Sequence, residues 1–419
     1  MSESFLDFIA ASPSSFHAAE EVAHRLERIG FVRQEENEQW DASPGGHVMV
    51  RGGAVVAWWV PEDASPRSGF RIIGSHTDSP GFKAKPLPEL QGSGFQQIGV
   101  EIYGGPILAS WFDRELQLAG RIELADGSQR LVTTEAMLRI PHLAIHLDRG
   151  ANDALHVDKQ AHTQPIFAVD DPELKIMDII AASAGVNAED IVGHDLITVD
   201  GARGVIFGPS KLIAAGRMDN LSSVYASLQA LINAIESGDA GEDILVLAAF
   251  DHEEVGSATM YGAAGPILED VLVRTGTALG ADTEGLHQMY ARSTCVSADA
   301  AHSIHPNYAA RHDAVNYPVL GQGPVLKVNA NQRYATDARS AGMWQRACAA
   351  AGVPSQVFAG NNNSPCGSTI GPITATRLGV STVDVGIPLL SMHSARELAS
   401  AADMAWMTMA LESYLVYTL

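Results

Sequence analysis

Cysteine and positive charge are both scarce in this sequence. Cys295, Cys348 and Cys366 are the only cysteines among 419 residues, and the absence of a C-x-x-C pair argues against a disulfide framework or a thiolate zinc site. Lysine and arginine number 27 against 49 aspartates and glutamates, so the net charge is −22. Such a balance repels phosphate backbones and anionic membrane surfaces. We therefore expect a protein of the reducing cytoplasm that binds neither nucleic acid nor a membrane.

Long apolar runs are missing as well. Ile244–Phe250 is typical of the longest runs, and it is far shorter than the roughly 20 residues that a membrane-spanning helix needs. The first residues have neither the basic nor the apolar segment of a secretory signal. With 46% apolar and 18% charged residues and no internal repeat, the composition indicates a folded globular protein of two or three domains.

Four common catalytic motifs are also absent. The sequence contains no G-x-x-x-x-G-K-[ST], no G-x-G-x-x-G and no G-x-S-x-G. It has no H-E-x-x-H either, because Gly256 stands where the second histidine of that motif would follow Glu253. Kinase-like, dinucleotide-binding, serine-hydrolase and simple zincin functions therefore lose their usual support.

Helical and buried-strand patterns predict an α/β fold at both ends of the chain. After the cap-like residues 12–15, apolar residues recur at helical spacing up to Ile29, and Gly30 stops the pattern. We predict a mixed sheet flanked by helices, formed by residues 1–84 and 206–419. The other candidates are strands Val55–Val60, Phe70–Ile73, Ile244–Phe250, Val325–Val328 and Thr382–Val385, a helix with Val224, Leu228, Leu231 and Ile235 on one face, and a closing helix Ala402–Leu415.

The middle of the chain has a different pattern. Short alternating runs at Phe95–Tyr103, Leu118–Leu124 and Ile140–Leu147 are separated by turns that contain Gly and Pro. This pattern is typical of antiparallel strands. We predict a β-rich insertion at residues 85–205.

Ionisable residues gather in five segments, each beside a glycine or at the end of an apolar strand. In the richest, Asp251-His252-Glu253-Glu254, a run of acids follows a buried strand, which is costly unless the acids are solvated, paired or bound to a cation. One glutamate could ligate a metal while its neighbour acts as a general base, although a solvated acidic turn explains this segment alone equally well. The other four are His76-Thr77-Asp78, Met218-Asp219-Asn220, Ala298-Asp299-Ala300 and Met392-His393-Ser394.

Each of these segments is weak evidence by itself. His76 and Asp78 are more often a turn histidine and a helix cap, and single Asp or His residues are more often caps or turn residues than ligands. Together the segments offer two histidines and three carboxylates, one of them bridging. This is a ligand set for two zinc-like ions roughly 3.5–4 Å apart, a spacing that aminopeptidases use.

The five segments lie within longer stretches that match one known family. These stretches are Gly74–Pro80, Gly216–Asn220, Asp251–Ser257, Ser297–Tyr308 and Ser391–Glu397, joined by Gly94–Gln97, Trp111–Arg114, Arg139–Leu147 and Pro365–Pro372. In this order they resemble the aspartyl aminopeptidases, a family of zinc peptidases. The resemblance covers essentially the whole chain.

The resemblance implies a set of metal ligands. Asp219 would bridge two Zn²⁺ ions in each subunit, His76 and Asp299 would complete one site, and Glu254 and His393 would complete the other. Mn²⁺ or Co²⁺ could replace zinc in the same ligand set. The family fold is a zinc-peptidase α/β domain interrupted by a β-rich dimerisation domain, and family members are tetrahedral dodecamers built from dimers.

The resemblance also implies the reaction, which is release of N-terminal Asp, and then Glu, from peptides. Glu253 would be the general base, and Asp78 would orient His76. Lys327 would meet the acidic side chain of the substrate, and His146 would reach into a neighbouring subunit's site. A local cation is needed because the net charge of −22 opposes an acidic ligand, and a charge-assisted hydrogen bond contributes about 1.5–3 kcal/mol. Without the resemblance, an exposed strand lysine and an outward-facing strand histidine are the commoner interpretations.

Three departures from the family pattern are visible. Asn363 replaces a more usual Asp, which removes a charge and bears on specificity, whereas Met218 and Ala300 replace other apolar residues and predict only small packing changes. Two alternative functions stay open. One is a broad or neutral-residue aminopeptidase or a deacylase on the same scaffold, and the other is a non-catalytic oligomeric cargo or assembly protein.

Overall fold

A computed structural model describes residues 2–238 and 241–416, in which the chain forms two large sheets and two small ones. The N-terminal part supplies two helices and the first strands of the larger sheet. Its second helix begins where the Ser14 side chain accepts a hydrogen bond from the His17 backbone N–H, and it buries Ala19, Val22 and Leu26. Ile29 was expected on this face, but it lies beyond the helix and is 48% exposed. The elements are α1 Ser2–Ala11, α2 Ser15–Glu27, β1 Val32–Arg33, β2 Gly45–Arg51, β3 Ala54–Val60 and β4 Phe70–His76.

Residues 81–200 form the second large sheet. Its six strands are antiparallel in the order β8-β7-β10-β5-β6-β9, and their apolar side chains pack with one helix in a core of their own. The sheet begins and ends within five residues of the boundaries predicted for the insertion, whose status as a separate domain remains a prediction. The elements are β5 Gly81–Gly92, β6 Phe95–Tyr103, β7 Leu116–Leu124, β8 Gln129–Thr133, β9 Ile166–Val169, α3 Ile176–Ala184 and β10 Ile191–Asp200.

The strand predicted at 140–147 is not formed. Ile140 forms an isolated β-bridge with Phe112, but residues 141–147 are loop and turn. The alternating Leu143, Ile145 and Leu147 are 61%, 46% and 74% exposed. The prediction was wrong because alternation alone does not supply a neighbouring strand, and none of the described strands pairs with these residues.

The rest of the chain completes the larger sheet, whose order is β1-β2-β3-β13-β4-β14-β18-β16-β17. Strand β13 is buried on both faces: Leu245, Leu247 and Ala249 join one core with α1, α2, α4, α7 and α9, and its other residues join a second core with α5, α6 and α8. Among the described helices, none has both the length and the apolar character that crossing a membrane requires. The elements are β11 Val205–Phe207, β12 Leu212–Ala215, α4 Met218–Ser237, β13 Ile244–Phe250, α5 Ile267–Ala278, α6 Thr283–Arg292, β14 Thr294–Ala298, β15 Ala301–His302, β16 Val325–Val328, α7 Ala338–Ala351, β17 Gln356–Ala359, α8 Ile370–Leu378, β18 Ser381–Gly386, β19 Pro388–Leu389, β20 Glu397–Ser400 and α9 Ala401–Val416.

Candidate metal centre

The centre of the larger sheet brings the predicted polar segments together. Strands β13, β4, β14 and β18 are parallel neighbours, so their carboxyl ends lie at one edge of the sheet. His76 ends β4 opposite Phe250 of β13, which places the Asp251–Glu254 segment beside it, and Asp299 directly follows β14. This edge is where open α/β sheets place their chemistry.

Asp219 and His393 complete the cluster from other elements. Asp219 lies at the start of α4, where the peptide bond to Asn220 is cis, and His393 lies in the loop before β20. Arg217, His252 and His393 have left-handed backbone conformations, which non-glycine residues seldom adopt. Such conformations cluster at functional sites.

The five predicted ligands form two overlapping groups around Asp219. Its Oδ1 is 3.4 Å from His76 Nε2, which is also 3.5 Å from Asp299 Oδ1. Its Oδ2 is 3.1 Å from His393 Nε2, which is also 3.4 Å from Glu254 Oε1. In each group of three, the potential ligand atoms lie within 4.8 Å of one another.

These residues fit a pair of small divalent cations. Four ligand atoms placed tetrahedrally at about 2.1 Å from a zinc ion lie about 3.4 Å apart, close to the distances found here. Among the described residues, the buried Asp219 Oδ1 and Glu254 Oε1 have no hydrogen-bond partner. Buried carboxylate oxygens without partners are costly, and a bound cation removes that cost. Imidazole and carboxylate donors suit zinc, and they also accept manganese or cobalt.

Charge within the cluster shifts the pKa values of its members. Burial lowers the pKa of His76, but the carboxylates of Asp219, Asp299 and Asp78, which lie 3.4, 3.5 and 3.4 Å from its ring nitrogens, outweigh it, so the net shift is well upward. Burial also lowers the pKa of His393, but its hydrogen bond to Asp219 and the charge of Glu254 outweigh burial and raise this pKa to about 10. Burial and nearby carboxylates raise the pKa of Glu254 well above its usual value. Without a cation, the cluster therefore retains protons, and a metal ion would displace them.

Asp78 connects His76 to the glutamate segment. Its Oδ1 accepts the backbone N–H of Glu253 at 3.0 Å, and its Oδ2 accepts that of Glu254 at 3.1 Å and the Tyr103 hydroxyl at 2.7 Å. His76 Nδ1 lies 3.4 Å from Asp78 Oδ1 and 3.1 Å from the Asp78 backbone oxygen. Burial opposes ionisation of Asp78, but contacts with His76 and Tyr103 lower its pKa overall. One carboxylate thus fixes both a histidine and the turn that carries two glutamates.

Glu253 is more accessible than the other carboxylates of the cluster. Its side chain is 17% exposed, and its Oε2 lies 3.9 Å from His76 Nε2. Burial is the main cause that raises the pKa of Glu253 to about 7, and neighbouring carboxylates add to it. A carboxylate with a pKa near neutrality beside a metal site suits proton transfer.

Lys327 lies directly behind Asp299. It is 2% exposed, and its ammonium donates to the backbone oxygens of Asp299 at 2.9 Å and Ala300 at 3.2 Å. The Nζ atom is also 3.7 Å from Asp299 Oδ2 and 5.1 Å from the centre of the Tyr334 ring. Lys327 is thus a buried cation beside the cluster and not the exposed strand lysine that is the commoner interpretation without the family resemblance.

A cavity of about 310 Å³ lies on the Tyr334 side of Lys327, and none of the five predicted ligands is in its lining. Tyr334 lines it, and so do Ser391 and Met392, which precede His393. No Asp or Glu occurs among the described residues that line it. Its ionisable side chains are instead Arg311, His302, His305, His312, Tyr334 and Cys366.

Other residues singled out in the sequence lie apart from the cluster or beside it without joining it. His146 lies on an exposed turn after β8, and the contacts that join the cluster do not include it. Asn363 is exposed in the loop after β17, and its backbone N–H donates to Asn361 Oδ1. Met218 and Ala300 are buried beside Asp219 and Asp299, as apolar positions should be. His252 pairs through Nδ1 with Thr259 Oγ1 at 2.9 Å.

Glu397 is the functional candidate that sequence reasoning missed. It is 2% exposed and accepts three backbone N–H groups from the segments that carry Asp219 and His393. The signal was available, because Glu397 lies in the same matching stretch as His393. Nothing in the sequence shows that a glutamate at the start of a strand turns inward.

Comparison with known proteins agrees with this geometry. A family model described as aminopeptidase I zinc metalloprotease (M18) matches residues 8–415. The chain belongs to the M18 family of zinc metallo-aminopeptidases. A "Probable M18 family aminopeptidase 2" of Streptomyces avermitilis is 49% identical over 408 residues, which are 96% of this aminopeptidase and 94% of that protein.

Solved structures resemble the aminopeptidase over nearly its whole length. A structure titled "Cryo-EM structure of the Ape4 and Nbr1 complex" has a TM-score of 0.95 and 35% identity, covering 99% of this chain and 85% of that one. The mApe1 dodecamer of S. cerevisiae has a TM-score of 0.87 and 27% identity, covering 99% and 96%. The predicted α/β zinc-peptidase fold and the family resemblance are thus confirmed.

Proposed function

We propose that this aminopeptidase removes N-terminal acidic residues, Asp and then Glu, from peptides, with two metal ions in each subunit. The observation that carries the specificity is the cavity beside the cluster, which has Arg311 but no carboxylate in its described lining. Burial lowers the pKa values of His302 and His312 in the same lining, so Arg311 and not these histidines supplies the positive charge there. In a chain of net charge −22, such a lining favours an acidic side chain. Lys327 adds a buried cation behind the same wall, next to Tyr334.

The proposed ligand sets follow the two groups in the cluster. His76, Asp219 and Asp299 would hold one ion, and Asp219, Glu254 and His393 would hold the other, with zinc as the metal and manganese or cobalt as substitutes. When bound, the ions supply Lewis-acid polarisation of the scissile carbonyl and lower the pKa of a water molecule. Partnerless oxygens on Asp219 and Glu254 support this assignment.

The chain's own residues would supply proton transfer and orientation. Glu253 would take the proton of the attacking water at a carboxylate oxygen and pass it to the leaving amine. Asp78 would keep His76 and the Glu253 turn in place through its four contacts. Lys327 would attract the acidic side chain of the substrate.

One observation favours the alternative of a broad or neutral-residue aminopeptidase. The Lys327 ammonium already donates to two backbone oxygens, so part of its hydrogen-bonding capacity is used inside the protein. A lysine with these two hydrogen bonds would stabilise the Asp299 segment without binding the side chain of the substrate. Substrate selectivity therefore has to be measured.

We also propose a cytoplasmic homo-oligomer, a tetrahedral dodecamer built from dimers through residues 85–205, in which His146 completes a neighbour's site. Similarity to the S. cerevisiae mApe1 dodecamer supports this assembly. So does exposure of Leu143, Ile145 and Leu147 on the same loop as His146, since such apolar residues suit an interface. Three free cysteines are consistent with a reducing compartment.

The test is hydrolysis of Asp-, Glu-, Lys- and Leu-headed peptides by zinc- or manganese-loaded protein, with Glu253→Gln as the control. Of the four peptides, the parent protein should cut those headed by Asp and Glu far faster than the others, and the control should cut them about 10²- to 10⁴-fold more slowly than the parent. Equal cleavage of Leu-headed peptides would be compatible with an aminopeptidase but would refute the preference for acidic residues. Full activity of Glu253→Gln would refute the role of Glu253 as the general base.

A further inference from the structure

Glu397 connects the two segments that meet at the centre of the cluster. It is the first residue of β20 and is buried. Its Oε2 accepts the backbone N–H groups of Met218 at 2.6 Å and Asp219 at 3.1 Å, and its Oε1 accepts that of His393 at 2.9 Å. Both carboxylate oxygens are therefore bound to backbone that carries a proposed metal ligand.

The two segments depend on this contact for their relative position. Asp219 and His393 come from the start of α4 and from a loop, and they meet where Asp219 Oδ2 lies 3.1 Å from His393 Nε2. Arg217, two residues before Asp219, and His393 itself have left-handed backbone conformations, which regular secondary structure does not fix. A single rigid acceptor bound to both segments sets the spacing between their side chains.

We propose that Glu397 is a positioning residue that fixes Asp219 and His393 at the spacing required by the metal ion of the Asp219, Glu254 and His393 group. This inference rests on the proposed two-metal function. Glu397 itself offers no oxygen to either group of three ligands. Its effect on the ion passes through the backbone of the residues that it holds, as partners behind metal ligands commonly act.

Length and charge at position 397 both matter for this role. Three N–H donors face one side chain, so all three need an acceptor. The amide that Glu397→Gln introduces offers one oxygen, and its NH₂ group would oppose at least one of these donors. The carboxylate that Glu397→Asp introduces keeps the charge but is one methylene shorter, and it cannot keep the present contacts with both segments without backbone movement.

The test compares metal affinities of the parent protein, Glu397→Gln and a matched control. Asp403→Asn is the control, because Asp403 is fully buried and accepts the N–H groups of Gly321 and Gly323 at 2.6 and 2.7 Å, without touching the metal cluster. Chelator competition would give two dissociation constants for zinc, and thermal unfolding would report on folding. E397Q should raise the dissociation constant of the Asp219, Glu254 and His393 site 10- to 100-fold. The constant of the other site should rise less, because that site shares Asp219 but not His393. D403N should change only the unfolding midpoint.

Activity at increasing metal concentration separates positioning from general damage. Excess Zn²⁺ or Mn²⁺ should restore the kcat of E397Q, since refilling the weakened site restores the cluster. Two parent-like constants, or lost activity that excess metal does not restore, would overturn the proposal. If E397Q does not fold, Glu397→Asp decides by the same criteria, and failure of both variants to fold would assign Glu397 to folding instead. A parent protein with fewer than two ions would refute the proposed function and not this inference alone.

Discussion

Replacing Lys327 by methionine tests substrate selectivity most directly. Methionine keeps a similar length and apolar volume but removes the ammonium, which lies 3.7 Å from Asp299 Oδ2 and is 2% exposed. If this cation meets the acidic side chain, its loss removes a charge-assisted hydrogen bond of about 1.5–3 kcal/mol. At about 1.4 kcal/mol per factor of ten, the preference for Asp-headed over Leu-headed peptides should fall about 10- to 150-fold.

Lys327→Met should also lower activity on every peptide, because the ammonium supports Asp299 through its backbone oxygen and its carboxylate. The ratio of kcat/KM values for Asp- and Leu-headed peptides removes this common loss. Lys83→Met is the matched control, since Lys83 pairs with Asp195 at 2.7 Å and lies in β5, outside the cavity lining. That variant should keep the parent ratio.

An unchanged ratio in Lys327→Met would refute the role of this lysine in selectivity and reduce it to support for Asp299. Arg311→Met would then identify the alternative cation, because Arg311 lines the cavity and its guanidinium has no hydrogen bond or ion pair with the described residues. A ratio that collapses only in the Arg311 variant would assign the acidic preference to that residue.

The carboxylates of the cluster give the remaining predictions. Asp78→Asn should weaken metal binding about 10- to 100-fold in a chelator competition, because an amide cannot accept the N–H groups of Glu253 and Glu254 and the Tyr103 hydroxyl together. Tyr103→Phe removes one of these donors and should have a smaller effect. Glu253→Gln should lower kcat by about 10²- to 10⁴-fold. The parent kcat/KM should fall as pH drops through the pKa of Glu253, which is about 7 without metal and lower beside bound cations; a flat acidic limb would contradict this role. Metal-free protein should unfold at lower temperature at pH 8 than at pH 5, because the raised pKa values of Glu253 and Glu254 make the folded state bind more protons than the unfolded chain. Metal at about 100 times its Kd should restore about 2.7 kcal/mol per site and reduce this pH dependence in calorimetry, and an unchanged midpoint on chelation would exclude a metal at the cluster.

Local pattern predicted the regular elements well. The predicted strands Phe95–Tyr103, Ile244–Phe250 and Val325–Val328 coincide with β6, β13 and β16, because burial of one or both faces dictates their side chains. The same reasoning failed at 140–147, where Leu143 and Ile145 alternate without a neighbouring strand. Strand pairing is a property of the tertiary structure, and a single segment does not contain it.

In the candidate site too, features that depend on the local sequence could be predicted, and features that depend on contacts between distant residues could not. The segments of His76 and Glu254 could be singled out because each follows a predicted apolar strand, but their ligand roles, and that of Asp299, came from the family resemblance. Glu397 could not be assigned, because its role depends on three backbone N–H groups, two of them nearly 180 residues away in sequence. Lys327 was predicted near the substrate, but its burial against the Asp299 backbone depends on packing that the sequence pattern does not contain.

The wide spacing of the cluster along the chain has a consequence for biosynthesis. His76 is translated long before His393 and before Glu397, which holds the His393 backbone. A nascent or truncated polypeptide that stops before β20 therefore lacks the acceptor that joins α4 to the final loop, and a slightly shorter one also lacks a proposed ligand. The proposed hydrolytic activity would therefore require synthesis to have passed β20, so partly made chains that stop before it would not cleave peptides around them.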